Sequence, residues 1–113
     1  MKPLQHSHKT VRKFGGHYED YMEIHNFLDQ TKAHVPDMRH RLILHNSFGI
    51  YLCEQMFGDV LVNSDDTPVS VRAIAETHIL DDMGFIPTLS KCLEDVELKP
   101  GAWFGGKVKN RIN

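Results

Sequence analysis

The longest apolar stretch of the chain runs through residues 34 to 57, HVPDMRHRLILHNSFGIYLCEQMF. From Leu42 onward, Leu42, Ile43, Leu44, Phe48, Ile50, Tyr51, Leu52, Cys53, Met56 and Phe57 cover the whole circumference of a helix. A helix apolar on every face is one that other elements surround, so the pattern predicts a long central helix. Pro36 suits its first turn, Asp37 sits where the helix dipole favours a carboxylate, and Gly58 supplies a stop. Upstream, residues 17 to 31 carry Tyr21, Ile24, Phe27 and Leu28 as a stripe at helical spacing, which predicts a helix antiparallel to the central one.

After Gly58 the period changes to two. Val60 and Val62, then Val69 and Val71, flank the turn formers Asn63-Ser64-Asp65-Asp66-Thr67, which predicts a β-hairpin. Residues 72 to 83, RAIAETHILDDM, return to helical spacing and stop at Gly84. Thr88 is placed to cap a fourth helix over residues 89 to 98, with Leu89, Cys92, Leu93 and Val96 facing inward. The first 17 residues have no apolar run and read as an extended arm ending in Gly15-Gly16. Residues 99 to 113 read as an irregular tail in which Trp103-Phe104 anchors on the body. The expectation is a mainly helical α+β fold: a long central helix, two or three helices packed on it, and one β-hairpin. The domain spans residues 18 to 98, with an arm at 1–17 and a tail at 99–113.

At 113 residues the chain is one domain, small enough that a metal, ligand or second subunit matters to its stability. An all-round apolar helix in so small a body points to a homodimer. The net charge of −2 conceals an asymmetry. Residues 1 to 13 and 99 to 113 each hold four Lys or Arg and no acid, whereas all fifteen carboxylates lie between, against five Lys or Arg. Basic ends resting on an acidic body account for this better than ends reaching for nucleic acid. Cys53 and Cys92 sit inside apolar helical patterns and read as reduced thiols of a cytoplasmic protein. No signal peptide and no run of 18 apolar residues is present, so a membrane location is not expected.

Eight histidines are the strongest chemical signal, because neutral imidazole is the commonest metal ligand. His25/Asp29, Asp37/His40 and His78/Asp82 each place an imidazole and a carboxylate on one helical face. Chance supplies such pairs often, so spacing alone decides nothing. On a continuous helix His40 and His45 are about 7.5 Å apart axially and about 140° apart in azimuth, and they converge on one ion only if His25 or His78 joins them. The candidate metal ligands are therefore His25, His40, His45, His78, Asp37 and Asp82, with Arg39 and Arg41 steadying an anionic substrate. Imidazole and carboxylate donors without a CxxC motif point to zinc or iron. The chain has no GxxxxGKS loop, GxGxxG turn, HExxH helix or GxSxG elbow, which disfavours the common nucleotide, zinc-protease and serine-hydrolase chemistries.

Several segments together carry a family likeness: PLQH (3–6), RKFGG (12–16), EDY with the following IH and D (19–29), DMRHR with H, GI, E and FG (37–58), NSD (63–65), and VRAIAETH with D, G and IPT (71–88). In these the chain resembles a family of small uncharacterised bacterial and phage proteins, with Phe27 and Cys92 standing where tryptophan is expected in relatives. The resemblance implies a cytoplasmic accessory protein and supplies no activity. Two functions follow for test. One is a metal-binding, hydrolytic domain; the other is a non-catalytic, phage-type accessory protein that engages a host protein or nucleic acid.

Overall fold

A computed structural model describes residues 1–94 and 96. Six helices and one two-stranded hairpin follow in the order α1 Pro3–Phe14, α2 Met22–Asp29, α3 Arg41–Leu44, α4 Ser47–Phe57, β1 Val60–Val62, β2 Pro68–Ser70, α5 Val71–Met83 and α6 Leu89–Cys92. The fold is mainly helical α+β, as the periodicity predicts. The core consists of Tyr21, Ile24 and Leu28 from the α2 region, Leu44, Ile50 and Cys53 from α3 and α4, Val69 of β2, and Val71, Ile74, Ala75 and Ile79 of α5. Among the described residues no helix is long and apolar enough to cross a membrane.

The expected extended arm is instead α1, a twelve-residue helix. Pro3 occupies its first turn, and the Lys2 amide donates to Gln5 Oε1 at 2.9 Å. Its fully buried positions are polar, His6, Ser7 and Thr10, while Val11 and Phe14 pack partly buried against the core. No apolar stripe announces such a helix. The segment after it is fastened to the hairpin turn by a network around Asn63 and Asp20. Tyr21 Oη donates to Gly15 O at 2.7 Å and accepts from Asn63 Nδ2 at 3.1 Å. Asp20 Oδ2 accepts from the His17 amide at 2.8 Å and from the amide and hydroxyl of Ser64 at 2.9 and 2.8 Å. Gly16, at φ 77, completes this contact, because a Cβ there would stand 2.6 Å from Asp20 Oδ2.

The long central helix is also corrected. Residues 34 to 57 form a 3-10 turn at Met38–His40, the single turn α3, and then α4. The break falls at Asn46, whose φ is −160°. Its one amide satisfies both flanks: Oδ1 accepts from the Phe48 and Gly49 amides at 2.9 and 3.1 Å, and Nδ2 donates to Leu42 O and Ile43 O at 3.0 and 3.1 Å. Gly49 permits the sharp approach, since a Cβ would fall 1.7 Å from Leu44 O. Nor is the segment buried all round, because Ile43, Phe48, Tyr51 and Met56 are exposed.

The hairpin pairs Val60 with Ser70, Leu61 with Val69 and Val62 with Pro68. Val71, expected in the second strand, starts α5 instead, because the Ser70 hydroxyl accepts from the Ala73 amide at 3.1 Å and caps the helix. Gly84 ends α5 in the left-handed conformation at φ 81. Thr88 caps α6 through the Lys91 amide at 3.0 Å, but that helix ends at Cys92. The tail at 99–113, with Trp103-Phe104, lies outside the described residues.

Candidate metal centre

The inward line of α5 begins with Val71, Ile74 and Ala75 and continues one turn on to His78, with Asp82 a further turn along. On α2, His25 and Asp29 repeat the same four-residue spacing beside the buried Ile24 and Leu28. These two helices face each other. The break at Asn46 turns His45 into the gap between them, and α1 lays His6 against the far side. His6, His25, His45 and His78 are each no more than 1% exposed.

Asp29, His45, His78 and Asp82 bring one donor atom each to within 4.8 Å of all the others. His45 Nε2 lies 2.8 Å from Asp82 Oδ2 and 3.5 Å from Asp29 Oδ1. His78 Nε2 lies 3.2 Å from Asp29 Oδ1 and 3.4 Å from Asp82 Oδ2. An ion bound tetrahedrally at about 2.0–2.1 Å from nitrogen and oxygen donors requires donor–donor edges of about 3.3 Å. These four of the six edges bracket that value. This is a buried His/Asp group positioned to hold a metal ion, and its two carboxylates balance the charge of a divalent cation.

The hydrogen bonds behind His78 lead to the same place. Thr10 Oγ1 is 2.8 Å from His6 O, and only the hydroxyl can supply that proton. The 2.8 Å contact between Thr10 Oγ1 and His25 Nε2 then needs its proton on Nε2. His25 Nδ1 is left as an acceptor, so His78 Nδ1, 2.8 Å away, carries the proton between them. His78 Nε2 is therefore a bare lone pair directed at two carboxylate oxygens. Only a cation in that space, a proton on His78 or a metal ion, relieves the repulsion.

Protonation at neutral pH is opposed by burial. Burial, then the neighbouring His78 and His6, pushes His25 down to about 3. Burial likewise pushes His78 down to about 4, against the raising contact with Asp29. For Asp82, burial alone would raise the carboxyl, but the hydrogen bond from His45 and the contacts with His6 and His78 outweigh it and hold the group below the ordinary carboxylate range. Asp29 follows the same pattern: burial raises it, and His78, His45 and His6 bring it below the ordinary range. The group at neutral pH is thus two carboxylates around an uncharged His78, an arrangement suited to a metal ion.

Of the residues that the sequence nominates, His45, His78 and Asp82 meet here, and His25 stands directly behind His78. His40 is buried, but its Nδ1 bonds to Asp37 O at 2.7 Å and its ring meets His45 edge-on with centroids 5.8 Å apart. Asp37 is exposed, pairs with Arg39 Nη2 at 2.8 Å, and lies outside the group formed by Asp29, His45, His78 and Asp82. Arg39 is engaged in that surface pair. Arg41 does reach the centre: Nη1 donates to Asp82 O at 3.1 Å, and Nη2 is 3.8 Å from Asp82 Oδ1, which the Met1 amine also approaches at 3.3 Å. Asp29 and His6 are absent from the nominated ligands. For Asp29 the signal was present, since His25/Asp29 has the spacing of His78/Asp82. Cys53 takes no part, and burial pushes its thiol up to about 12.

No curated protein and no solved structure shows a significant match to this chain. One family does, over residues 1–104 and so across every residue of the centre. The chain belongs to the family described as Domain of unknown function (DUF6915).

Proposed function

We propose that the protein is a metal-binding domain that holds one divalent first-row transition ion on Asp29, His45, His78 and Asp82. The observation that carries the reading is the set of four donor–donor edges, 2.8, 3.2, 3.4 and 3.5 Å, around one buried point. Zinc and iron both suit two imidazoles and two carboxylates. None of the four donors is more than 6% exposed at its side chain. That burial favours an ion that ties α2, α5 and the α3–α4 break together, with access for ligands of about the size of water, over one that works on a large substrate.

The test is elemental analysis of untagged protein purified without chelator, followed by calorimetric titration of the stripped protein with Zn(II) and Fe(II). About one ion per chain is expected, lost in Asp82→Asn and His45→Ala. Substoichiometric metal with no measurable uptake by folded wild type would leave the histidines as a hydrogen-bonded core network. A hydrolytic role gains support only if the loaded protein cleaves a small ester or phosphoester and Asp82→Asn does not.

A further inference from the structure

Apart from the buried centre, and sharing none of its four donors, the surface sinks into a hollow of about 340 Å³. Three parts of the fold frame it. The 3-10 turn and α3 contribute Met38, Arg39, Arg41 and Leu42, the end of α5 contributes Met83, and the end of α6 contributes Cys92. The walls are therefore apolar and rich in sulfur, and two arginines carry the only charge on them. Such a volume lies toward the lower end of the range for small-molecule sites.

The two arginines are not equivalent. Arg39 is exposed and already gives its fork to Asp37, Nη2 at 2.8 Å and Nε at 3.0 Å. Arg41 is only 19% exposed at its side chain, and among the described residues that side chain makes one hydrogen bond, from Nη1 to Asp82 O at 3.1 Å. Its Nη2 stands 3.8 Å from Asp82 Oδ1, beyond hydrogen-bond reach, and its Nε is buried without a partner. A guanidinium does not give up its proton, so a buried Nε–H remains costly until an acceptor reaches it. No residue lining the hollow is a carboxylate that could do so. A ligand carboxylate can, because it takes two neighbouring N–H groups of the fork at once. Met38 and Met83 suit the rest of such a ligand, since unbranched, polarizable side chains shape themselves to an apolar body.

We propose that this hollow binds a small monocarboxylate with an apolar body, its carboxylate on Arg41 and its body against Met38, Leu42, Met83 and Cys92. The site is one of binding, with no bond made or broken. It stands whether or not an ion occupies Asp29, His45, His78 and Asp82.

Octanoate and its uncharged counterpart octanamide are the probes for the full-length chain, read by calorimetry and by the methyl signals of the five methionines in NMR. Octanoate should bind once per chain and shift Met38 and Met83 while leaving Met22 and Met56 unmoved. Octanamide should bind about tenfold more weakly or worse. Arg41→Gln should bring octanoate down to the level of the amide. Met38→Glu, at a position 63% exposed, should weaken octanoate with the fold retained. Equal binding of the two probes would overturn the role of Arg41, and shifts confined to other methionines would overturn the location. Folded wild type without saturable uptake would overturn the proposal outright, including the cases in which residues 97–113 or a second copy cover the hollow. If Arg41→Gln does not fold, octanoate against octanamide in wild type decides the matter.

Discussion

His25 and His78 face each other through their Nδ1 atoms at 2.8 Å, from helices 53 residues apart in the chain. One proton occupies that contact, and Thr10 determines that it belongs to His78. The hydroxyl of a threonine on α1 thus sets the lone pair that His78 presents to the centre.

Replacing Thr10 with Val keeps the shape and removes this control. His25 is then free to take the other tautomer and His78 Nε2 to hold the proton. Zn(II) affinity measured by competition with a chromophoric chelator should fall about 10–100-fold with the fold retained by circular dichroism. Unchanged affinity would show that the relay does not govern the site.

Asp82 touches His45, His78, His6 and Arg41, whereas the Asp37 carboxylate bonds only to Arg39. Asp82→Asn should weaken metal binding by more than about hundredfold, beyond the loss of an outer partner. Asp37→Asn should leave it unaltered. Equal losses in the two variants, read by isothermal titration, would mean that the ion sits elsewhere.

Metal should stabilise the folded state by mass action. At a free ion concentration of about 100 times the Kd, the gain is about 2.7 kcal/mol, read as a rise in Tm that EDTA reverses. His45→Ala should abolish the shift. A Tm that does not respond to Zn(II), Fe(II) or Co(II) would count against the centre.

The stripped protein should lose stability on acidification. His25 and His78 are held below 6.5, at about 3 and about 4, so the unfolded chain binds more protons than the folded one. Their contribution is full above pH 6.5 and is lost progressively as pH falls from there toward 4 and below. Asp29 and Asp82, also held low, add a loss only as pH drops below their ordinary 3.8. The urea midpoint should therefore decline from pH 7 to pH 5, and a flat midpoint would contradict neutral, buried imidazoles.

Asn46→Ala should remove four hydrogen bonds at the α3–α4 break. A cost of about 1–3 kcal/mol in urea unfolding is expected, together with weaker metal binding as His45 loses its orientation.

Elements bounded by local chemistry were legible in the sequence. α5 has its Gly84 stop, and the hairpin has the Asn63–Thr67 turn. The break at Asn46 was not, because an amide bonded on both sides and a glycine packed on Leu44 O leave no periodic trace inside an apolar run. α1 was missed for the converse reason: its buried positions are His6, Ser7 and Thr10, which a hydrophobic pattern reads as solvent-facing. For the site, the i, i+4 pairs on α2 and α5 were visible, but so was Asp37/His40, whose carboxylate the fold leaves at the surface. Only the packing of α2 against α5 separates the pairs that meet in the core from the one that does not.

The Tyr21–Asn63 and Asp20–Ser64 contacts hold the Gly15–Asp20 loop, and with it α1, against the body. Because α1 covers the histidines, an ion held as proposed would leave when that helix lifts. Release would then be timed by a conformational opening instead of by bond strength. Loosening a turn far from any ligand, by Asn63→Ala for example, should shorten the residence time of the metal far more than it changes the ion preferred.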